Sequence, residues 1–108
     1  MIKRILKALE AQDYRGLADC FSVDCRYFDY CPSLNGEENY FVYGREAVEM
    51  FFRNRFVHKH FEIGSPREEG PECGTFFGSY DAPYVYARIR IEETDSDGLV
   101  KKLVVSPA

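Results

Sequence analysis

Apolar residues at Ile2, Ile5, Leu6 and Leu9 recur at i, i+3, i+4 and i+7, with Lys3, Arg4, Lys7 and Glu10 between them. That spacing places one apolar stripe along a helix. Asp13 follows as a cap for a second, short helix, because its carboxylate can accept a hydrogen bond from a free first-turn amide. Tyr14, Leu17, Ala18 and Phe21 then repeat the helical spacing. The segment CRYFDY, Cys25 to Tyr30, is short and aromatic and predicts a strand. Alternation puts Cys25, Tyr27 and Asp29 on one face and Arg26, Phe28 and Tyr30 on the other. Pro32 to Asn39 carries Pro, Ser, Asn and Gly and reads as a loop; Tyr40 to Tyr43 reads as a short strand.

Gly44 opens GREAVEMFFRNRF, the strongest helix signal in the chain. Gly is an acceptable N-cap, and Glu46 meets the positive end of the helix dipole. Ala47, Val48, Phe51, Phe52 and Phe56 form its apolar stripe. Beyond it the pattern turns to strands: Val57 to Ile63, a Gly- and Pro-rich loop over Gly64 to Pro71, then Gly74 to Tyr80, with a break at Asp81-Ala82-Pro83. Tyr84 to Glu93 alternates, Val85, Ala87, Ile89 and Ile91 against Tyr84, Tyr86, Arg88 and Arg90. A turn over Thr94 to Gly98 leads to a closing strand, Leu99 to Val105. Helices first and strands afterwards predict an α+β domain spanning 1–108, the helices covering one face of a curved sheet.

Composition narrows the function. Fourteen basic and eighteen acidic residues give a net charge of −4, and no basic stripe suited to nucleic acid stands out. The longest stretch without a charged residue is eight residues, Cys73 to Tyr80, far short of the roughly 20 apolar residues of a membrane span. The opening MIKRILKALE mixes charge into every turn and does not read as a secretory signal. A cytoplasmic protein with four reduced thiols, at Cys20, Cys25, Cys31 and Cys73, is therefore expected. No cofactor is called for. His58, His60 and Glu62 would share a strand face, but no third histidine accompanies them, and no metal site is assigned.

The run D-Y-R-G-L-A-D-C-F-S-V-D-C-R-Y-F-D, the later Y-G-R-E-A-V-E-M-F-F and the closing D-G-L-V-K-K-L-V-V-S-P together resemble the nuclear transport factor 2-like superfamily, which includes SnoaL-like cyclases and ketosteroid isomerases. The resemblance implies a cone-like α+β domain, a curved antiparallel sheet wrapped around the N-terminal helices and one long helix. It also implies a homodimer through the outer sheet face, to which Phe28, Tyr30 and the Tyr84-to-Arg90 face would contribute. Asp29 matches the general base of the isomerase-like members, with Tyr27 beside it. Phe52, Phe56 and Ile89 are the apolar neighbours expected around a ligand. The isomerases' oxyanion donors have no counterpart, since Ile5 and Ile89 or Arg90 stand near those places. Arg90-x-Glu92 has the spacing of the family's epoxide hydrolases without the Asp. Two functions follow from the resemblance: binding of a small apolar molecule in a helix–sheet cavity, with turnover at Asp29 as its enzymatic form, or a non-enzymatic homodimeric interaction module whose cavity is filled by its own side chains.

Overall fold

The computed structural model describes residues 1–80 and 84–108; the break expected at Asp81-Ala82-Pro83 lies outside the described residues. The chain runs α1 (Ile2–Ala11), α2 (Tyr14–Ala18), β1 (Phe21–Asp29), a 3₁₀ turn (Pro32–Asn35), β2 (Tyr40–Tyr43), α3 (Arg45–Val57), β3 (Ile63–Glu68), β4 (Cys73–Ser79), β5 (Tyr84–Thr94) and β6 (Val100–Pro107). The six strands form one sheet in the order β2-β1-β6-β5-β4-β3. The architecture is the expected cone-like α+β domain, and the helices lie on one face of the sheet.

The helix stripes behave as their spacing requires. Ile2, Ile5, Leu6 and Leu9 are all buried. The α1–α2 bend is made by Gln12 in the left-handed region (φ 58°), with the Asp13 amide bonded to the Ala8 carbonyl at 2.9 Å. Asp13 caps α2: its Oδ1 accepts from the Gly16 amide at 2.9 Å. Phe21, placed by periodicity on the second helix, instead opens β1 and is fully buried. Gly74 is required by a close approach. A Cβ there would stand 2.8 Å from the Arg67 carbonyl oxygen and 2.9 Å from the Leu6 side chain, so a larger residue would press on the β3 backbone.

Three features depart from the sequence reading. The sheet is mixed: β1 pairs with β2 antiparallel but with β6 parallel, Tyr27 lying opposite Leu103. First and last strands lie side by side within the sheet, a pairing on which local patterning is silent. Of the stretch from Val57 to Ile63, Val57 ends α3 and Ile63 alone belongs to a strand. The His58 and Lys59 amides both bond to the Asn54 carbonyl, and His60 takes a left-handed conformation (φ 53°). The Phe61 amide then returns to Arg55 O, so helix closure consumes the backbone groups a strand would need. His58, His60 and Glu62 therefore share no strand face. The strand begins at Ile63 and includes Gly64 to Glu68, expected to be loop; Pro66 is tolerated because β3 is an edge strand.

Register shifts in the β1–β6, β3–β4 and β5–β6 pairings bend the sheet. Along β5, Val85, Ala87, Ile89 and Ile91 face the helices and are buried, as the alternation predicts. On α3 the buried face is Val48, Phe52, Arg55 and Phe56, while Ala47 is exposed and Phe51 half-buried. An arginine thus occupies a position where the expected stripe had none.

Candidate functional site

Asp29 ends β1 on its inward face, in alternation with Cys25 and Tyr27, and its residue is 0% exposed. Every oxygen of its carboxylate is engaged. Oδ1 accepts from the Cys31 amide at 2.9 Å, a two-residue turn that starts the 3₁₀ segment. Oδ2 accepts from the Tyr80 hydroxyl at 2.6 Å and from the Tyr27 hydroxyl at 3.1 Å. Arg55 Nη1 lies 3.8 Å from the same oxygen, too far for a hydrogen bond.

Burial pushes the Asp29 carboxyl above its ordinary value, because desolvation penalises the charged form. The Tyr80 hydroxyl, the Cys31 amide, the Arg55 charge and the Tyr27 hydroxyl all pull the other way without prevailing. Both phenols are raised well above the usual tyrosine range, by burial first and then by the Asp29 charge. At neutral pH they are protonated donors. The Cys31 thiol, buried beside the same carboxylate, is pushed up to about 12. All four cysteines are free thiols.

Tyr80 reaches Asp29 because its ring folds back beneath Gly78, where a Cβ would come within 2.7 Å of it. The Asn35 side-chain amide donates to the Tyr80 carbonyl at 2.8 Å and holds the 3₁₀ turn against that segment. The carboxylate thereby ties together the end of β1, the 3₁₀ turn and the segment after β4.

Phe52 and Ile89, two of the apolar residues expected around a ligand, border a void with little space in it. Tyr27, Phe52, Tyr80 and Ile89 line one void, together with Phe61, Phe76 and residues of α1, α2 and β6. Its volume is about 10 Å³, room for no more than a single water. Phe52 packs edge-on to Tyr27, centroids 5.1 Å apart, and Phe56 lies behind Phe52 at 5.6 Å, outside the lining of the void. The helix–sheet interior is filled by the protein's own rings. No atom of Asp29 faces space in which a substrate proton could come within hydrogen-bond reach.

Two members of the site escaped the sequence reading. Tyr80 carries no local signal, since a tertiary fold-back places it. Arg55 carried one: it follows Phe51 by four residues and Phe52 by three, so it falls on the apolar face of α3. Its guanidinium stands 3.6 Å from the Phe61 ring centroid, 4.9 Å from Tyr40 and 5.1 Å from Tyr80. Arg26, the cation nearest Asp29 in sequence, points outward and pairs with Glu93 at 2.6 Å. Arg90 and Glu92 are 3.8 Å apart on exposed positions, remote from the interior. Among the described residues, no group of three or more His, Cys, Asp or Glu side chains is placed to hold a metal ion. No helix among them is long and apolar enough to cross a membrane.

No family model and no curated protein matches the sequence. Solved structures do match the fold. An uncharacterised bacterial protein with a cystatin-like fold from Silicibacter pomeroyi superposes with a TM-score of 0.68 at 17% identity, covering 97% of this chain and 71% of its own. A ketosteroid-isomerase-like protein from Kribbella flavida gives 0.65 at 14% identity over 99% of this chain and 74% of its own. A protein of unknown function with a cystatin-like fold from Methylobium petroleophilum gives 0.69 at 11% identity, over 99% and 72%. At these identities the likeness is one of fold. It agrees with a nuclear transport factor 2-like architecture.

Proposed function

We propose that this chain is a homodimeric, non-enzymatic interaction domain whose two copies meet through the outer faces of their sheets. The observation that carries the reading is the contrast between a filled interior and an aromatic exterior. Helices cover the inner face alone, and the outer face carries Tyr30, Phe41 and Tyr43 at one side and Phe77, Tyr84 and Tyr86 at the other, each between 39% and 63% exposed. The rings are already ordered: Phe28 and Phe41 pack edge to face at 5.5 Å, and Phe77 stacks on Tyr86 at 4.7 Å. Ordered aromatics lose little entropy on association, and exposed patches of this kind favour an interface.

Light scattering at tens of micromolar should return twice the 12.5 kDa chain mass. Phe28→Lys with Tyr86→Lys should return the monomer mass with an unchanged far-ultraviolet spectrum. A monomeric wild-type protein overturns the proposal.

A second reading, binding and turnover of a small apolar molecule with Asp29 as base, draws support from one observation. A carboxyl raised by burial accepts hydrogen bonds from Tyr27 and Tyr80, two residues that line an apolar void. It requires the rings of Tyr27 and Phe52 to part. Native mass spectrometry of the purified protein tests it: a retained small molecule favours this reading, and bare protein favours the interaction domain.

A further inference from the structure

Among the described residues, Arg55 is the buried charged side chain with an unpartnered polar atom. The residue is only 5% exposed, and Nη1 has no hydrogen-bond partner among the described residues. Its neighbouring carboxylate, Asp29, already accepts three hydrogen bonds and stands 3.8 Å away. A guanidinium has donors only, and a desolvated one without acceptors is costly unless something supplies them. The aromatic rings around it stabilise its charge through their faces but accept no conventional hydrogen bond.

A cleft leads from this guanidinium to the surface. Tyr40, Arg55, Lys59, Phe61, Ser79 and Tyr80 line it. Lys59, exposed, lies in the turn that follows α3 and lines the same cleft as Arg55, so two cations flank the passage. The sheltered part is about 10 Å³, the size of a head-group oxygen rather than of a whole ligand. Its walls are flat: the rings of Tyr40, Phe61 and Tyr80 all lie about the guanidinium. Among the described residues, Glu62, which follows Phe61, is engaged elsewhere, its Oε1 accepting from the Tyr84 hydroxyl at 2.9 Å.

We propose that the Arg55–Lys59 cleft binds the carboxylate head of a small, flat organic acid, the head against the guanidinium and the body against Tyr40. A planar monoanion suits the slot, because guanidinium and carboxylate pair in one plane. A phosphate, without a flat body to lay against Tyr40, lacks the second half of that contact. This site differs from the filled helix–sheet void and does not depend on the pairing of sheets.

Benzoate is the probe, with benzamide as its uncharged isostere and inorganic phosphate as the competing anion. Amide resonances of the full chain are followed during titration. Benzoate should give saturable shifts at Lys59, Phe61, Ser79 and Tyr80 with a dissociation constant of roughly 1 mM. Benzamide should give none at the same concentrations, and phosphate should bind more weakly. Lys59→Met, at an exposed position, should weaken benzoate about threefold. Arg55→Met should weaken it at least about tenfold if it folds. The proposal is overturned by the absence of saturable shifts, by equal binding of benzamide, by phosphate binding as tightly as benzoate, or by Lys59→Met leaving the affinity unchanged.

Discussion

Tyr80→Phe isolates one hydroxyl in a site where every other contact can stay. Phenylalanine fills the same space, and the ring keeps its place against Phe61, 5.2 Å between centroids. What disappears is the 2.6 Å bond to Asp29 Oδ2, the shortest of the three the carboxylate accepts. A hydrogen bond to a charged acceptor contributes about 1.5–3 kcal/mol, and one to a neutral acceptor about 0.5–1.5 kcal/mol. The loss should therefore depend on whether Asp29 is ionised. The folded Asp29 carboxyl lies above its unfolded value of about 3.9. Folding thus takes up a proton in the window just above that value. The stability this group contributes is complete below about pH 3.9 and is lost as pH rises through the raised folded value. Removing the Tyr80 hydroxyl takes away the largest influence holding that value down, so the variant loses more as pH rises. We expect urea unfolding to show a loss of about 2 kcal/mol at pH 7, a drop in Tm of about 10 °C, and about 1 kcal/mol or less at pH 4. In an Asp29→Asn background the same substitution should cost less than in the wild type at pH 7. Equal losses at both pH values, or no loss at pH 7, would refute the view of Asp29 as a buried hub held by charge-assisted hydrogen bonds.

Other perturbations test neighbouring parts of the argument. Phe52→Ala should destabilise by about 3–5 kcal/mol in urea unfolding, because it enlarges an existing void and removes edge-on contacts to Tyr27 and Phe51, each at 5.1 Å. Gly78→Ala places a methyl 2.7 Å from the Tyr80 ring and should cost about 1–3 kcal/mol. Combined with Tyr80→Phe it should be less than additive, since both act on the bond to Asp29. A thiol reagent should modify the half-buried Cys73 first in the native protein and Cys31 last, its thiol being both enclosed and pushed up to about 12. The denatured, unreduced protein should show four reactive groups.

Much of the fold was legible in the chain because it rests on local periodicity. The stripe Ile2, Ile5, Leu6, Leu9 can form only one apolar face on a helix, and that face is buried. The alternation of Val85, Ala87, Ile89 and Ile91 can point only one way from a strand. Alternation along β1 likewise put Tyr27 and Asp29 on the inward face together, where they share a hydrogen bond. What sequence spacing left undetermined depends on contacts between distant segments. The parallel pairing of β1 with β6 joins residues more than seventy positions apart. The strand character of Ile63 to Glu68 comes from its ladder with β4, which outweighs the local preference of Gly and Pro for loops. Tyr80 meets Asp29 across 51 positions, by way of a ring that only a glycine at 78 lets fold back. Arg55 shows the division most clearly. Helical spacing alone assigns it to the apolar face, but its burial rests on rings from β2, α3 and the segments before β3 and after β4 closing around one cation. Packing of that kind, a property of the assembled domain, also decided that the interior would be filled rather than open.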